Sequence, residues 1–295
     1  MITFEEIVNE KDKAKRDLLI KTKLEELNST TESVNIGTSS LVRGFISDKS
    51  TVRFDDFDFD LEYDLKSVYG MKATDYFYEF FDLLVANNSI NKISAINNIS
   101  FFLKRYFNEP GEKKNDRDAM FGSFSNKLLE IADNEDEFHK QKNALFDIGV
   151  FKNMSSAECT EHACIAQNLL SFCDVDSCYV TGVALIPGNK EIHAFNVIQV
   201  DGNYYVFDGT NPFYLYDENE KYISCRSYVF KIPQDKIVDF MNGKERLKIP
   251  KCNYQRKADG ETIMVDMEHW GFVIDSKPLD KDAFDSFLGA EVKVL

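Results

Sequence analysis

The most informative part of the chain runs from residue 153 to residue 212. It includes SSAECTEHACIAQNLLSF (155–172) and ends with EIHAFNVIQVDGNYYVFDGTNP (191–212). Its first half carries small and apolar residues at helical spacing, and its second half contains strand-like runs separated by turn-forming pairs. The pattern predicts a helix followed by an antiparallel three-stranded meander, which is an α+β arrangement.

The helix and the strands can be bounded from local signals. Ser155 is followed three residues later by Glu158, a capping-box pattern that predicts a helix from about residue 155 to about residue 172. Three strands are expected over 177–186, 191–200 and 203–210. Pro187-Gly188 and Asp201-Gly202 separate them and are both strong turn signals.

Cys159 falls in the first turn of the predicted helix. A cysteine attacks as its thiolate, and a free cysteine has a pKa of about 8.5. The positive end of a helix dipole and the unpaired backbone N–H groups of the first turn favour a negative charge there. Cys159 is therefore a candidate nucleophile, and the alternative is a buried structural cysteine.

A base and its orienting carboxylate follow from the strand register. A two-residue turn at 201–202 places Phe195 opposite Asp208, and His193 shares the sheet face of Phe195. His193 and Asp208 are then diagonal neighbours about 7–8 Å apart at the backbone. This is the arrangement of a base and its orienter in a nucleophilic triad. Taken singly, His193 could be a satisfied core histidine and Asp208 a residue that only starts a turn.

Three motifs in this stretch resemble the transglutaminase-like superfamily. The residues ECTEHA (158–163) with YVTG (179–182) are similar to its nucleophile helix and the strand that follows. HAFN (193–196) resembles its histidine motif, and VFDGTNP (206–212) resembles its Asp-x-Thr strand end. The resemblance covers about residues 150–212, and the three motifs occur in the family's order.

The resemblance implies a papain-like α+β core and acyl transfer from an amide through a thioester. It implies that Cys159 is the nucleophile, His193 the base and acid, and Asp208 the orienter. A peptidase or amidase acting on proteins or peptides is the first expectation. A protein-glutamine transglutaminase or deamidase uses the same intermediate, and a non-catalytic interaction module that kept only the fold is the third possibility.

His162 is the alternative base, because it lies three residues after Cys159 on the same helix face. Helical side chains point back toward the N-terminus, and the sequence pattern places no carboxylate to orient His162. Cys164, Cys173 and Cys178 are expected to pack in the core. No CxxC pair occurs, so neither a zinc site nor any other cofactor is predicted.

Composition limits the class of protein. Hydrophobic residues make up 43% of the 295 residues, enough for a large core, and the net charge of −15 disfavours nucleic acid and anionic membranes as partners. The N-terminus lacks the pattern of a secretory signal, and no apolar run is long enough to span a membrane. A cytoplasmic protein with free thiols is therefore expected.

The rest of the chain is predicted more coarsely. Pro110-Gly111 and the charged run that follows suggest a boundary, with a mostly helical region over 1–115 and the transglutaminase-like core over 116–295. One amphipathic helix is expected over 3–27, two phenylalanine-rich helices over 75–107, and further helices over 120–132 and 135–148. Residues 56–64 alternate as a strand with an acidic face, and a calcium loop there lacks the required glycine.

Overall fold

The structure is a computed structural model, and it describes part of the chain. The described residues are 1–37, 41–53, 68–72, 74–87, 90–109, 146–153, 157–186, 189–242, 244, 248–250, 254–256, 262–264 and 269–271. The predicted strand over 56–64, with its calcium-loop alternative, lies outside these residues. The same is true of the predicted helix over 120–132 and most of the one over 135–148.

Helices and strands both contribute to the fold. The helices are α1 (Phe4–Asn9), α2 (Lys13–Thr30), α3 (Asp75–Ala86), α4 (Lys92–Tyr106), α5 (Cys159–Phe172) and α6 (Ile237–Met241), with a 3-10 helix at Ile148–Phe151. The strands are β1 (Asn35–Ile36), β2 (Leu41–Arg43), β3 (Thr51–Arg53), β4 (Val68–Gly70), β5 (Phe146–Asp147), β6 (Asp176–Ile186), β7 (Asn189–Val200), β8 (Asn203–Tyr216), β9 (Tyr222–Ile232), β10 (Lys248–Pro250), β11 (Tyr254–Arg256), β12 (Thr262–Met264) and β13 (His269–Gly271).

The main sheet is built around the antiparallel run β6–β7–β8–β9. β2 and β13 both pair with β6, and β11 joins β8 in parallel. A second, four-stranded sheet has the order β1-β3-β4-β5. The predicted α+β class with an antiparallel sheet is confirmed.

The three predicted strands of the meander are confirmed as β6, β7 and β8, and β9 adds a fourth strand. Asp201 and Gly202 both have positive φ, 48° and 76°, as a two-residue type I′ turn requires. Val200 therefore pairs with Asn203, and the ladder between β7 and β8 continues to Asn196 opposite Phe207. The turn fixes the register that the site depends on.

Helix α5 packs on this sheet through polar as well as apolar contacts. Asn196 of β7 donates to the Ala163 carbonyl and to Gln167 Oε1, both at 3.0 Å. Gln167 donates in turn to the carbonyl and hydroxyl oxygens of Ser177, at 3.0 Å each. All four residues are buried, so these bonds hold the helix in one orientation on β6 and β7.

Helix α4 lies against β9 and against α5. The Ser100 N–H donates to Ser227 Oγ at 3.1 Å, and that hydroxyl donates to the Ile96 carbonyl at 2.6 Å. The predicted pair of helices over 75–107 is confirmed as α3 and α4. Their buried phenylalanines join one hydrophobic cluster with residues of α5 and of β6–β9.

Residues before position 115 share both the core and the sheet of the later residues. Phe4 of α1 packs edge-on against Phe172 of α5, with ring centroids 6.1 Å apart. The buried Lys23 ammonium donates to Asp174, just beyond the end of α5. Residues on either side of the predicted boundary are therefore joined by direct contacts, and the division into two domains stays a prediction.

Two predictions of helix bounds outside α5 are wrong. The single helix expected over 3–27 is two helices, because Thr3 caps α1 in a capping box with Glu6 and Asp12 caps α2 by accepting from the Lys15 N–H. The end of the helix expected over 135–148 is instead strand β5 followed by the 3-10 helix. Among the described residues, no helix is long and apolar enough to cross a membrane.

Candidate active site

Helix α5 begins at Cys159, later than the sequence pattern suggested. Glu158 is the N-cap residue, and its N–H donates to Glu161 Oε2 at 2.8 Å. Ala157 precedes the helix, so the predicted start near residue 155 is wrong, and Ser155 itself lies outside the described residues. The predicted cap paired Ser155 with Glu158. In the observed cap, Glu158 is the capping residue and Glu161, three residues later, is its partner. Cys159 is consequently the first residue of the helix, where backbone N–H groups are unpaired.

His193 and Asp208 form a buried pair, as the register predicted. His193 Nε2 lies 2.9 Å from Asp208 Oδ2, and the two residues are 7% and 5% exposed. The hydrogen-bonded ladder between β7 and β8 ends at Asn196 and Phe207, so the pairs predicted beyond that point do not form in it. His193 and Asp208 lie just past the end of the ladder, and their side chains bridge the two strands.

Asp208 also orders the chain that follows it. Its Oδ1 accepts from the Thr210 N–H at 3.0 Å and from the Asn211 N–H at 3.2 Å. Its Oδ2 accepts from the Asn211 side-chain amide at 2.9 Å. The carboxylate therefore caps a turn and contacts His193 at the same time, which joins the two roles that the sequence left as alternatives.

The Cys159 side chain lies near the His193 ring. The Cys159 sulfur is one of the groups that raise the pKa of His193. The Nε2 atom of that ring faces Asp208. The three predicted site residues are thus brought together, although they come from a helix and two strands.

The charges in this cluster stabilise one another. Burial by itself lowers the pKa of His193, but the Asp208 carboxylate and the Cys159 sulfur more than offset it and raise the pKa of His193 to about 10. Burial by itself raises the pKa of Asp208, but His193 and the hydrogen bonds from Asn211 outweigh this and lower it. The geometry therefore favours an imidazolium facing a carboxylate.

Cys159 differs from the other described cysteines in its exposure. It is half-buried, whereas Cys164, Cys173, Cys178 and Cys225 are buried, as expected for core residues. Burial raises the pKa of each of these four thiols, to about 12 for Cys225. Among the described residues, Cys159 is the thiol placed to react with a molecule from solvent.

His162, the alternative base, is held away from that role. Its Nδ1 donates to the Glu158 carbonyl at 2.7 Å, and its ring packs against Phe107, with centroids 4.8 Å apart. Its Nε2 lies 3.2 Å from Glu109 Oε2, which is also 3.2 Å from the Lys104 ammonium. The sequence pattern places no carboxylate beside His162, and Glu109 reaches it only through tertiary packing. The alignment between His162 and Glu109 is not that of a hydrogen bond.

Three functional candidates were missed by the sequence reasoning. Glu109 comes from beyond the end of α4, and no local pattern links it to His162. Asn211 belongs to a recognised motif but had no role, and Tyr179 was noted only as a strand residue. Tyr179 accepts from Thr181 Oγ1 at 3.1 Å, and the Thr160 side chain, next to Cys159, lowers the pKa of Tyr179 against the larger effect of burial, which raises it.

Comparisons with known proteins were made for both the sequence and the fold. No family model matches the sequence, no curated protein matches it, and no solved structure matches the fold. The chemistry of the site and the motifs in the chain are therefore the basis for a functional proposal.

Proposed function

We propose that this protein is a cysteine-nucleophile enzyme that acts on amide bonds of proteins or peptides through a thioester, most simply as a peptidase or amidase. One observation carries the proposal: the half-buried Cys159 at the start of a helix lies near His193, whose Nε2 is 2.9 Å from Asp208 Oδ2. We also propose that α5 packed on β6–β8 corresponds to the papain-like core of the transglutaminase-like superfamily.

In the first half of the proposed reaction, the Cys159 thiol gives its proton to His193 Nδ1. The thiolate attacks the carbonyl carbon of the substrate, and the negative charge moves to the carbonyl oxygen. The unpaired N–H groups at the start of α5 are available to donate to that oxygen. When the C–N bond breaks, His193 protonates the leaving amine, and the acyl group stays on sulfur as a thioester.

In the second half, neutral His193 removes a proton from an incoming water molecule, which attacks the thioester carbon. The sulfur leaves as thiolate and regains its attraction to the imidazolium, and the acid is released. Asp208 stabilises the imidazolium in both halves, so its carboxylate must stay ionised. The low pKa of Asp208, which follows from its partners, supports that role.

An amine can replace water in the second half, which would make the enzyme a transglutaminase. The same thioester serves both outcomes, so the choice depends on access and pocket shape rather than on the triad. A nucleophilic thiol works only while it is reduced, so the proposed function suits a reducing compartment such as the cytoplasm.

The proposal is tested by incubating the protein with a peptide mixture and an amine donor, followed by mass spectrometry. Cleavage, glutamine deamidation and amine incorporation each give a distinct mass change. Cleavage is expected to dominate in the wild-type protein and to disappear in the Cys159→Ala variant. Absence of all three products with a broad peptide mixture, together with ordinary Cys159 reactivity toward iodoacetamide, would rule out the proposed enzyme.

A further inference from the structure

Asn211 makes two of the contacts that hold Asp208. Its side-chain amide donates to Oδ2 at 2.9 Å, and its backbone N–H donates to Oδ1 at 3.2 Å. Oδ2 is also the oxygen that faces His193 Nε2 at 2.9 Å. A single carboxylate oxygen is therefore shared between the Asn211 amide and the histidine ring.

This sharing fixes the carboxylate independently of His193. The two backbone N–H groups hold Oδ1, and the Asn211 amide holds Oδ2, so the plane of the carboxylate is set by the turn itself. The Asn211 amide has no proton to lose at physiological pH and no charge, so it can donate to the carboxylate at every stage of a reaction. Asp208 is 5% exposed, and water can therefore replace this amide only poorly.

We propose that Asn211 is a positioning residue of the Cys159–His193–Asp208 site, holding Asp208 Oδ2 ionised and directed at His193. This inference rests on the proposed function and deepens it. Asn211 acts through Asp208, and its contribution is greatest when the Cys159 proton resides on His193. At that point the buried carboxylate must bear its full charge to stabilise the imidazolium.

Losing the Asn211 amide has two opposing effects on His193. It leaves more negative charge on Oδ2, which strengthens the attraction to the imidazolium. It also leaves a buried carboxylate with one donor fewer, which favours protonation of Asp208 and a neutral pair. The second effect grows as the pH falls, because protonation becomes easier. The consequence of removing Asn211 is therefore confined to the acidic side of the pH profile.

The test is the rate of Cys159 alkylation by iodoacetamide, measured from pH 4.5 to pH 9 by mass spectrometry of the Cys159 peptide. This readout needs no substrate. Asn211→Ala is expected to slow alkylation about tenfold at pH 5 while leaving the rate at pH 9 close to that of the wild type. The tenfold figure corresponds to the loss of one hydrogen bond to a charged group. Asn219→Ala is the matched control, because it removes an amide from the exposed turn after β8.

A second variant covers the case in which Asn211→Ala does not fold. Asn211→Asp keeps the shape of the side chain but places a second carboxyl beside Oδ2, so the two groups share a proton. It is expected to slow alkylation at pH 5 more than Asn211→Ala does. Thermal unfolding of each variant shows which samples are folded.

The possible outcomes separate the inference from the proposed function. If wild-type Cys159 is no more reactive than the buried thiols at pH 6, the proposed function fails. If wild-type Cys159 is activated but the folded Asn211 variants give the same pH profile, the proposed function stands and the positioning role of Asn211 is overturned. A uniform slowing at every pH also overturns it, because that is the result of a merely structural change in access.

Discussion

His162 lies in the first turn of α5 and His193 lies near that turn, and each has a carboxylate oxygen close to its Nε2 atom. The distance is 2.9 Å to Asp208 in one pair and 3.2 Å to Glu109 in the other. All four residues are buried. If the presence of a nearby carboxylate were the only criterion, the two pairs would be equal candidates for a base and its orienter.

The second ring nitrogen separates the two histidines. In His162 it donates to the carbonyl of Glu158, the residue that caps the helix, whereas the His193 ring interacts with the Cys159 sulfur. A backbone carbonyl can only accept, so this nitrogen of His162 cannot take a proton from a thiol. A histidine beside a carboxylate is therefore not sufficient evidence of a base, and the partner of its other nitrogen must be known.

The carboxylates differ as well. Asp208 is surrounded by neutral donors in addition to His193, whereas Glu109 is shared with the buried Lys104 ammonium. The negative charge of Asp208 therefore acts mainly on His193. The negative charge of Glu109 is also neutralised by the Lys104 ammonium. We therefore assign the His193 pair to chemistry and the His162 pair to stability.

The largest expected effect distinguishes the two histidines directly. His193→Ala should lower turnover by about 10⁴-fold or more, because it removes the group that both takes and returns the proton. His162→Ala should retain activity within about tenfold per folded molecule, since its ring nitrogens are committed to structure. Turnover and folded fraction are measured on the same samples. The opposite order of effects would show that His162 is the base.

The second prediction concerns the orienter. Asp208→Asn removes the charge but keeps the size of the side chain, and it should lower activity by about 10- to 1000-fold, less than the loss of about 10⁴-fold in a serine triad. The effect is smaller because a thiol needs less help from the base than a hydroxyl does. Activity per folded molecule is the readout. If the variant has a lower melting temperature but wild-type activity per folded molecule, Asp208 serves only to cap its turn.

The third prediction concerns the other carboxylate. Glu109→Gln leaves the buried Lys104 charge without its partner and should lower the free energy of unfolding by about 3 kcal/mol. Activity per folded molecule should stay near the wild-type value. The control is Glu25→Gln, which breaks the exposed Lys21–Glu25 pair on α2 and should cost less than about 0.5 kcal/mol. Denaturant unfolding of both variants checks the contrast, and equal losses would contradict it.

The smallest expected effect is a dependence of stability on pH. The folded-state pKa of His193 is raised above its ordinary value of 6.5, so its contribution to stability is fully present below about pH 6.5 and is lost as the pH rises toward about 10. The difference in unfolding free energy between wild type and His193→Gln should therefore shrink as the pH rises across that window. Denaturant titrations at pH 6.5, 8 and 10 measure it. A constant difference would mean that His193 is not charged in the folded protein.

Much of the strand geometry at the site was predictable, because it follows from rules that relate residues close together in the chain. Asp201-Gly202 permits only a tight turn, and a tight turn fixes which residues of β7 and β8 face each other. Alternation then places His193 and Asp208 on one face. The helix that carries Cys159 was predicted for the same reason, although its first residue was placed about four positions too early.

That error has a local cause. Ser155 with Glu158, and Glu158 with Glu161, both have the spacing or chemistry of a helix cap, and the sequence does not rank them. In the folded protein the later cap is used, and it is reinforced by the bond from His162 to the Glu158 carbonyl. The choice moves Cys159 to the first position of the helix, where the effect of unpaired N–H groups is greatest.

The sequence by itself determined the antiparallel meander, the helix before it, and the shared face of His193 and Asp208, because each depends on residues close together in the chain. Only the tertiary structure decided that Cys159 meets His193 and that Glu109 reaches His162. Those contacts depend on how α5 packs on the sheet and where the chain beyond α4 lies. Such packing is set by the burial of side chains from the whole chain, Phe4 to Phe240, and no local pattern encodes it.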